Sequence, residues 1–229
     1  MGRVPPPLKR SCRGSEGLPG WPELDEEERD AVIAHGGCLA DLQEMSNPRL
    51  DDTDPVTEHV IDMLFPGNPL LCCGGSSYSF DTKPREEWRG QMSDLQLIVP
   101  SPMSAPTGLT QDGKESTHTL ANTGHRRFLI VEFDTGSMDD QAALLQHLGS
   151  TAPLACVVFS GSKSLHGWFY TVGHSDETVE SFFSYAVSIG ADRATWTRSQ
   201  FVRMPCGLRD GGKRQRLYYL NAGLIGGVR

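Results

Sequence analysis

The sequence has no long apolar run and little that suggests export or membrane insertion. Its 229 residues are 38% hydrophobic and 22% charged, a composition typical of a soluble globular chain. Apolar stretches such as 128–131 are far shorter than the ~20 residues that a membrane-spanning helix requires. The N-terminus also lacks the apolar core of a secretory signal, so we expect a cytoplasmic protein with no membrane association.

Paired-cysteine motifs are missing too, since none of the six cysteines forms a C-x-x-C pair. Without an export signal, thiols are expected rather than disulfides. The adjacent Cys72 and Cys73 fit the end of an apolar strand better than a metal site. A zinc-binding cysteine cluster is therefore not expected.

The net charge of −8 argues weakly against a nucleic-acid partner, but the charges are unevenly distributed. Residues 1–125 carry ten basic and twenty acidic side chains, whereas residues 126–229 carry eleven and nine. Seven basic residues fall within 192–216, where only two acids occur. Such a cluster can bind phosphates although the whole molecule is acidic. A solvated charged face would explain it equally well.

The composition predicts a flexible leader over residues 1–20, followed by an N-terminal αβ unit over residues 21–125. Within that unit, helices are expected from Trp21 onward and from Pro55 to Phe65. Short apolar segments between polar turns complete it. We assign no catalytic residue to this part of the chain.

Residues 126–229 have a much more regular pattern, which predicts a compact αβ core. Strands are expected at 127–134, 153–160, 164–172, 200–204 and 214–221, with helices at 137–148 and 175–190. The order β-α-β-β-α-β plus a final strand predicts an α+β fold with a ferredoxin-like, or RRM-like, core. In that arrangement the first and third strands are central neighbours. Both helices cover one sheet face, and the other face is free for a site.

Two carboxylates alternate at the end of the first core strand. Glu132 and Asp134 are two residues apart, so they project from one face. The apolar positions between and before them are Leu129, Val131 and Phe133, which we expect to meet the helices. Adjacent carboxylates repel unless a cation bridges them, so the pair suggests a divalent-metal site. Taken alone, the pattern fits a solvated acidic pair better.

The third core strand begins with polar groups suited to phosphate. Ser164 and His166 share a face beside the acids, and Lys163 with the turn at 161–162 offers a cation and backbone N–H groups. Each feature alone favours a structural interpretation, as a hydrogen-bonded histidine or a plain hairpin turn. Their conjunction next to paired acids favours a site.

Three further positions complete the candidate site. Asp192 follows the second helix and is either a third metal ligand or an ordinary turn aspartate. Arg203 lies in an otherwise apolar strand and therefore needs a partner. Lys213 belongs to the stretch LRDGGKRQR, a basic edge that solvated side chains would also explain.

Three segments together resemble the signature regions of the archaeo-eukaryotic primase superfamily, above all the primase-polymerase proteins of phages, plasmids and mobile elements. They are FLIVEFD, VVFSGSKSLHGWF and GADRATWTRSQFVRMPCGLRDGGKRQ, within roughly residues 126–221. A looser likeness covers the accessory αβ unit ahead of that core. The block SKSLHGW is the most specific part of the resemblance and the acidic pair the least.

The resemblance implies a role for each matching residue. Glu132 and Asp134 take the place of the metal-binding acids, as E-x-D where the family has D-x-D or D-x-E, and Asp192 stands where a third metal-linked acid is expected. The nucleotide-binding positions that it implies are Lys163, Ser164, His166, Arg203 and Lys213.

The implied function is template-directed nucleotidyl transfer, which makes or extends primers on single-stranded DNA. Its implied cofactors are two Mg²⁺ or Mn²⁺ ions, and its substrates are nucleoside triphosphates. The partners are a single-stranded template and a primer. A helicase partner, or a helicase module in a longer parent chain, is compatible with the resemblance.

Two other functions compete with this interpretation. A non-catalytic replication-initiator module that binds single-stranded nucleic acid would show stacked aromatics on the open sheet face. This sequence places Glu132 and Asp134 there, and they repel phosphate without metal. A metal-dependent nuclease needs similar carboxylates, but the S-x-H block with Lys163 fits it least.

Overall fold

Residues 20–48 and 57–225 are described by the structure, a computed structural model. The predicted leader lies outside this part of the chain except for Gly20. The helices are α1 (Glu26–His35), α2 (Leu39–Glu44), α3 (Thr57–Leu64), α4 (Met138–Gly149), α5 (Asp176–Ser188) and α6 (Ala222–Ile225). None of the described helices is both long and apolar enough to cross a membrane.

The described strands form two four-stranded antiparallel sheets and two small hairpins. The strands are β1 (Leu70–Ser76), β2 (Ser79–Pro84), β3 (Leu97–Ile98), β4 (Gly108–Leu109), β5 (Glu115–Ser116), β6 (Phe128–Glu132), β7 (Leu154–Phe159), β8 (Leu165–Tyr170), β9 (Val202–Arg203), β10 (Leu208–Arg209), β11 (Lys213–Arg214) and β12 (Leu217–Leu220). The first sheet has the order β12-β7-β8-β6 and the second the order β2-β1-β3-β9. The hairpins are β4-β5 and β10-β11.

The predicted α+β class is confirmed, but the strand pairing departs from the expected core. Strand β6 pairs with β8, so the first and third core strands are neighbours as predicted. Strand β9, expected in the same sheet, pairs instead with β3 in the second sheet. Strand β12 pairs with β7 at the far edge. Within the described residues β6 is therefore an edge strand rather than a central one.

One face of the first sheet packs against α4 and α5, as the alternation in β6 predicts. Leu129, Val131 and Phe133 are fully buried in one cluster with Leu145 of α4 and Phe183 of α5. Ser137 caps α4 through a reciprocal capping box, and the Ser175 hydroxyl accepts from the Thr178 N–H at the start of α5.

The other face of the first sheet is not free, which corrects the sequence-based expectation. Ile130 and Trp168 point from it into a second core with Ile61 of α3 and with Ile98 and Val202 of the second sheet. Glu132 and Asp134, at and after the end of β6, suggested a polar face. Ile130 precedes them on that face, yet it is buried. Only the end of the sheet therefore opens to solvent, and the two predicted units share one core.

The adjacent cysteines Cys72 and Cys73 are thiols, as predicted. Cys72 and Cys73 are fully buried in β1, and burial raises the pKa of both thiols, that of Cys72 to about 11. Protonated, buried thiols are poor metal ligands. Their burial fits the predicted apolar strand.

His118 lies in an aromatic cluster that joins the β4-β5 hairpin to the second sheet. Its ring centroid is 4.1 Å from that of Phe201 and 5.4 Å from that of Phe80, and its Nε2 is 2.6 Å from the Ser199 carbonyl oxygen. Burial lowers the pKa of His118, and the hydrogen bond to Ser199 opposes this only in part.

This depressed pKa predicts a stability change in mild acid. The unfolded chain takes up a proton at the ordinary histidine pKa of about 6.5, whereas folded His118 does so only at lower pH. The free energy of unfolding should therefore fall as the pH drops below ~6.5. His118→Gln should flatten that part of the profile in denaturant unfolding between pH 7.5 and 5. The exposed His59→Gln serves as the control, and an equally steep profile in His118→Gln would contradict the assignment.

Candidate active site

A polar cleft of about 330 Å³ opens where β6 ends and β8 begins, beside β9. It brings together six of the eight predicted site residues, Glu132, Asp134, Lys163, Ser164, His166 and Arg203. A second cavity of about 350 Å³ lies between α1 and α4, is mainly apolar, and contains none of the predicted site residues. The charged side chains therefore single out the first cleft.

Glu132 and His166 form the floor of this cleft. They lie directly opposite each other in the β6–β8 pairing, and Glu132 Oε1 is 3.3 Å from His166 Nε2. Burial alone would raise the pKa of Glu132, but the contacts with His166, Ser164 and Arg203 together outweigh it and leave that pKa below its ordinary value. Glu132 is therefore held as a carboxylate inside the protein.

His166 is nearly inaccessible, with 5% of its side chain exposed. Neither ring nitrogen makes a hydrogen bond with any described residue, although Nε2 lies 3.3 Å from Glu132 Oε1. Buried polar atoms without partners are costly and uncommon. His166 therefore keeps hydrogen-bonding capacity at the cleft wall.

Asp134 lies nearer the solvent and has its own cation. Its Oδ1 is 3.0 Å from Lys163 Nζ, and the two side chains are 50% and 65% exposed. Lys163 belongs to the turn between β7 and β8. Gly161 in the same turn has a φ of +78°. The Ser164 N–H donates to Ser160 Oγ at 3.2 Å and closes the turn.

A buried glutamine from α4 fixes this turn against the helix layer. Gln141 is 1% exposed, donates from its amide to the Lys163 carbonyl at 3.1 Å and accepts from the Leu165 N–H at 2.8 Å. It thus holds the backbone on both sides of Ser164. The sequence indicated only a helix position for Gln141, because its role depends on a contact 22 residues away.

Two arginines form the opposite wall of the cleft. The half-buried Arg203 on β9 donates to Gln96 Oε1 at 3.2 Å, which supplies the partner that its position in an apolar strand requires. Arg209 on β10 lines the same cleft and donates to the Ser160 carbonyl at 3.3 Å. Burial and the neighbouring Arg209 lower the pKa of Arg203. Arg209 was seen in the sequence only as part of the basic edge.

Two predicted site residues lie outside the cleft lining. The Asp192 side chain accepts from the Ala194 N–H at 3.0 Å and caps a 3-10 turn, while its backbone N–H donates to the Glu132 carbonyl at 2.8 Å. Its carboxylate thus serves as a turn cap, although its backbone adjoins the strand end. Lys213 is exposed on β11, beside the Gly161 turn. Their functional roles stay predictions.

The cleft offers two carboxylates to a divalent cation. Among residues 20–48 and 57–225, no group of three or more His, Cys, Asp or Glu side chains is arranged to hold a metal. Glu132 and Asp134 nevertheless line one polar cleft, and carboxylate oxygens suit Mg²⁺, which commonly takes one or two from the protein and the rest from water and phosphate. The donor set therefore fits a hard cation bound together with a phosphate ligand.

Comparisons with known proteins leave the family open. No protein-family model, no curated protein and no solved structure matches this chain.

The different burial of the two acids predicts different effects on folding. Glu132→Gln removes the charge facing His166 in a buried position, so it should lower the free energy of unfolding by about 1–3 kcal/mol. Asp134→Asn breaks only an exposed pair and should change it by less than about 1 kcal/mol. Urea unfolding at pH 7 measures both. A more stable Glu132→Gln protein would mean that repulsion between the carboxylates outweighs the contact with His166.

Proposed function

We propose that this protein is a template-directed nucleotidyl transferase of the primase-polymerase type, acting on single-stranded DNA. The supporting observation is one cleft in which two carboxylates face Lys163, His166 and the arginine wall. Acidic side chains alone would repel the phosphates of a nucleotide, and basic side chains alone would bind the nucleotide without activating it. The combination suits phosphoryl transfer.

The fold supports the proposal in part. The order β7-β8-β6, with α4 and α5 on one face, matches three strands and both helices of the ferredoxin-like core that the family resemblance implies. The displacement of β9 into the second sheet places Arg203 across the cleft from Glu132. In this proposal Arg203 and Arg209, both within residues 126–229, form one wall of the active site, and Gln96 of the accessory unit accepts a hydrogen bond from Arg203.

Glu132 and Asp134 are the proposed holders of Mg²⁺ or Mn²⁺. Such ions, when bound, activate the attacking hydroxyl and neutralise charge on the triphosphate and pyrophosphate. Asp192 is the proposed third acid. Its Oδ1 accepts from the Ala194 N–H, so in this role Asp192 would offer its other carboxylate oxygen to a metal.

Lys163, Ser164 and His166 are the proposed triphosphate contacts. His166 lines the cleft with ring nitrogens that lack an aligned partner, so a phosphate oxygen would satisfy one of them. Because the Lys163 side chain is exposed, its ammonium group can leave Asp134 and bind a phosphate oxygen instead. Arg203 contributes positive charge from the opposite wall. Lys213 adds positive charge beside the Gly161 turn.

Nucleotide incorporation is the direct test of the catalytic proposal. Wild-type protein with labelled nucleoside triphosphates, a primed single-stranded template and Mg²⁺ or Mn²⁺ should extend the primer. Asp134→Asn should lose at least about a hundredfold in rate, because a metal-held charge supplies several kcal/mol in the transition state. Glu180→Gln, an exposed acid on α5, is the matched control.

The same assay separates the alternatives. Template binding by wild-type protein without incorporation under any metal would support the non-catalytic initiator module instead. Metal-dependent shortening of the template would support a nuclease. Full extension by Asp134→Asn would remove that carboxylate from the proposed mechanism.

The exposed basic residues after β10 are the proposed path of the DNA phosphates. Arg214 and Arg216 are exposed next to Lys213. If both contact phosphates, the slope of log affinity against log salt should fall by more than ~0.7 when both become alanine, since each contact on a single strand contributes about 0.7. Lys114→Ala, on the β4-β5 side, is the control. An unchanged slope would mean that both arginines are solvated surface residues that do not contact the DNA phosphates.

A further inference from the structure

Tyr78 is the most exposed of the large hydrophobic side chains in the described structure, with 96% of its surface accessible. It lies in the turn between β1 and β2, a hairpin to which neither the sequence nor the cleft assigns a role. A single exposed apolar side chain is ordinary on a protein surface. The position of this hairpin is what gives the tyrosine significance.

The Tyr78 hairpin is tied to the rim of the cleft by one buried amide. Gln96 is 5% exposed, and its side-chain nitrogen donates to the Gly75 carbonyl in the hairpin and to Asp210 in the β10-β11 turn. Its side-chain oxygen accepts from Arg203, which lines the cleft. Gln96 therefore connects the Tyr78 hairpin, the cleft wall and the β10-β11 hairpin, which is called the basic hairpin below.

The hairpin is also locally constrained. A bulge interrupts the β1–β2 register between Gly74 and Ser76, and the Tyr78 N–H donates to Ser76 Oγ at 3.2 Å. A Cβ added at Gly74 would lie 2.6 Å from the Ser79 carbonyl oxygen, so the strands approach too closely there for any larger residue. Tyr78 is thus presented on a defined turn.

The charge around Tyr78 suits a polyanion. Residues 70–80 contain no charged side chain, and the one carboxylate of the hairpin, Asp81, is paired with Lys83 at 3.4 Å. Across the Gln96 junction lie Arg203 and Arg209 of the cleft and the exposed basic pair of β11. An exposed ring beside a basic groove is the arrangement by which proteins bind single strands without regard to sequence.

We propose that Tyr78 stacks on a base of the single-stranded nucleic acid at the mouth of the cleft. This inference rests on the proposed function and adds to it a base-binding position on the accessory unit. The phosphates of the strand follow the basic hairpin, and the ring of Tyr78 takes the face of one unpaired base.

The test compares two strands that differ only in their bases. Wild-type protein, Tyr78→Ala and Tyr78→Phe are titrated with a fluorescent dT12 oligonucleotide and with a 12-mer of abasic sites, at equal salt. A stacked base contributes about 1–3 kcal/mol, so Tyr78→Ala should bind dT12 roughly five- to a hundredfold more weakly. Its affinity for the abasic strand should stay unchanged, and Tyr78→Phe should behave as wild type. Met45→Ala, an exposed apolar residue after α2, is the control.

The outcomes separate this inference from the proposed function. If Tyr78→Ala binds both strands as wild type does, stacking by Tyr78 is overturned while DNA binding stands. An equal loss on both strands would also overturn it, because a general defect is not base recognition. If wild-type protein binds neither strand, the proposed function fails and stacking fails with it.

Discussion

Where β6 ends beside the start of β8, a carboxylate and an imidazole face each other at 3.3 Å, mostly shielded from water. A buried carboxylate is expensive unless positive or hydrogen-bonding groups surround it. Glu132 has His166 beside it, Ser164 on the same strand and Arg203 across the cleft, and its pKa is lowered in spite of burial. The arrangement of the cleft follows from this need, since each wall contributes a group that stabilises one charge.

The same requirement explains why the cleft lies at the end of the sheets. Further back along β6 both faces are covered, one by the helices and one by the second sheet, and the alternating side chains are apolar. On the face toward the second sheet the apolar pattern stops at Glu132, and on the helix face it stops one residue later, at the buried Phe133. Charged and polar residues beyond that point cannot join either core, so the two layers diverge and water enters between them.

Much of this fold follows from local sequence signals, but its assembly does not. Ser137 and Ser175 mark the starts of α4 and α5, and alternation in β6 assigns the correct side chains to the helix face. The pairing of β9 with β3 joins two-residue strands about 100 residues apart, and strands that short carry no recognisable register. Gln96 and Gln141 also escape sequence analysis, because glutamine is usually exposed and only tertiary contacts show these two as buried links.

The ion pairs within the cleft have a consequence for how the proposed substrate would bind. Each acid already faces a protein group, Glu132 the His166 ring and Asp134 the Lys163 ammonium. A triphosphate that accepts hydrogen bonds from Lys163 and His166 would draw both away from the carboxylates. The acids would then repel each other and the phosphate unless divalent cations took over the same charge. Nucleotide binding and metal binding should therefore be mutually dependent, because each provides the charge that the other removes.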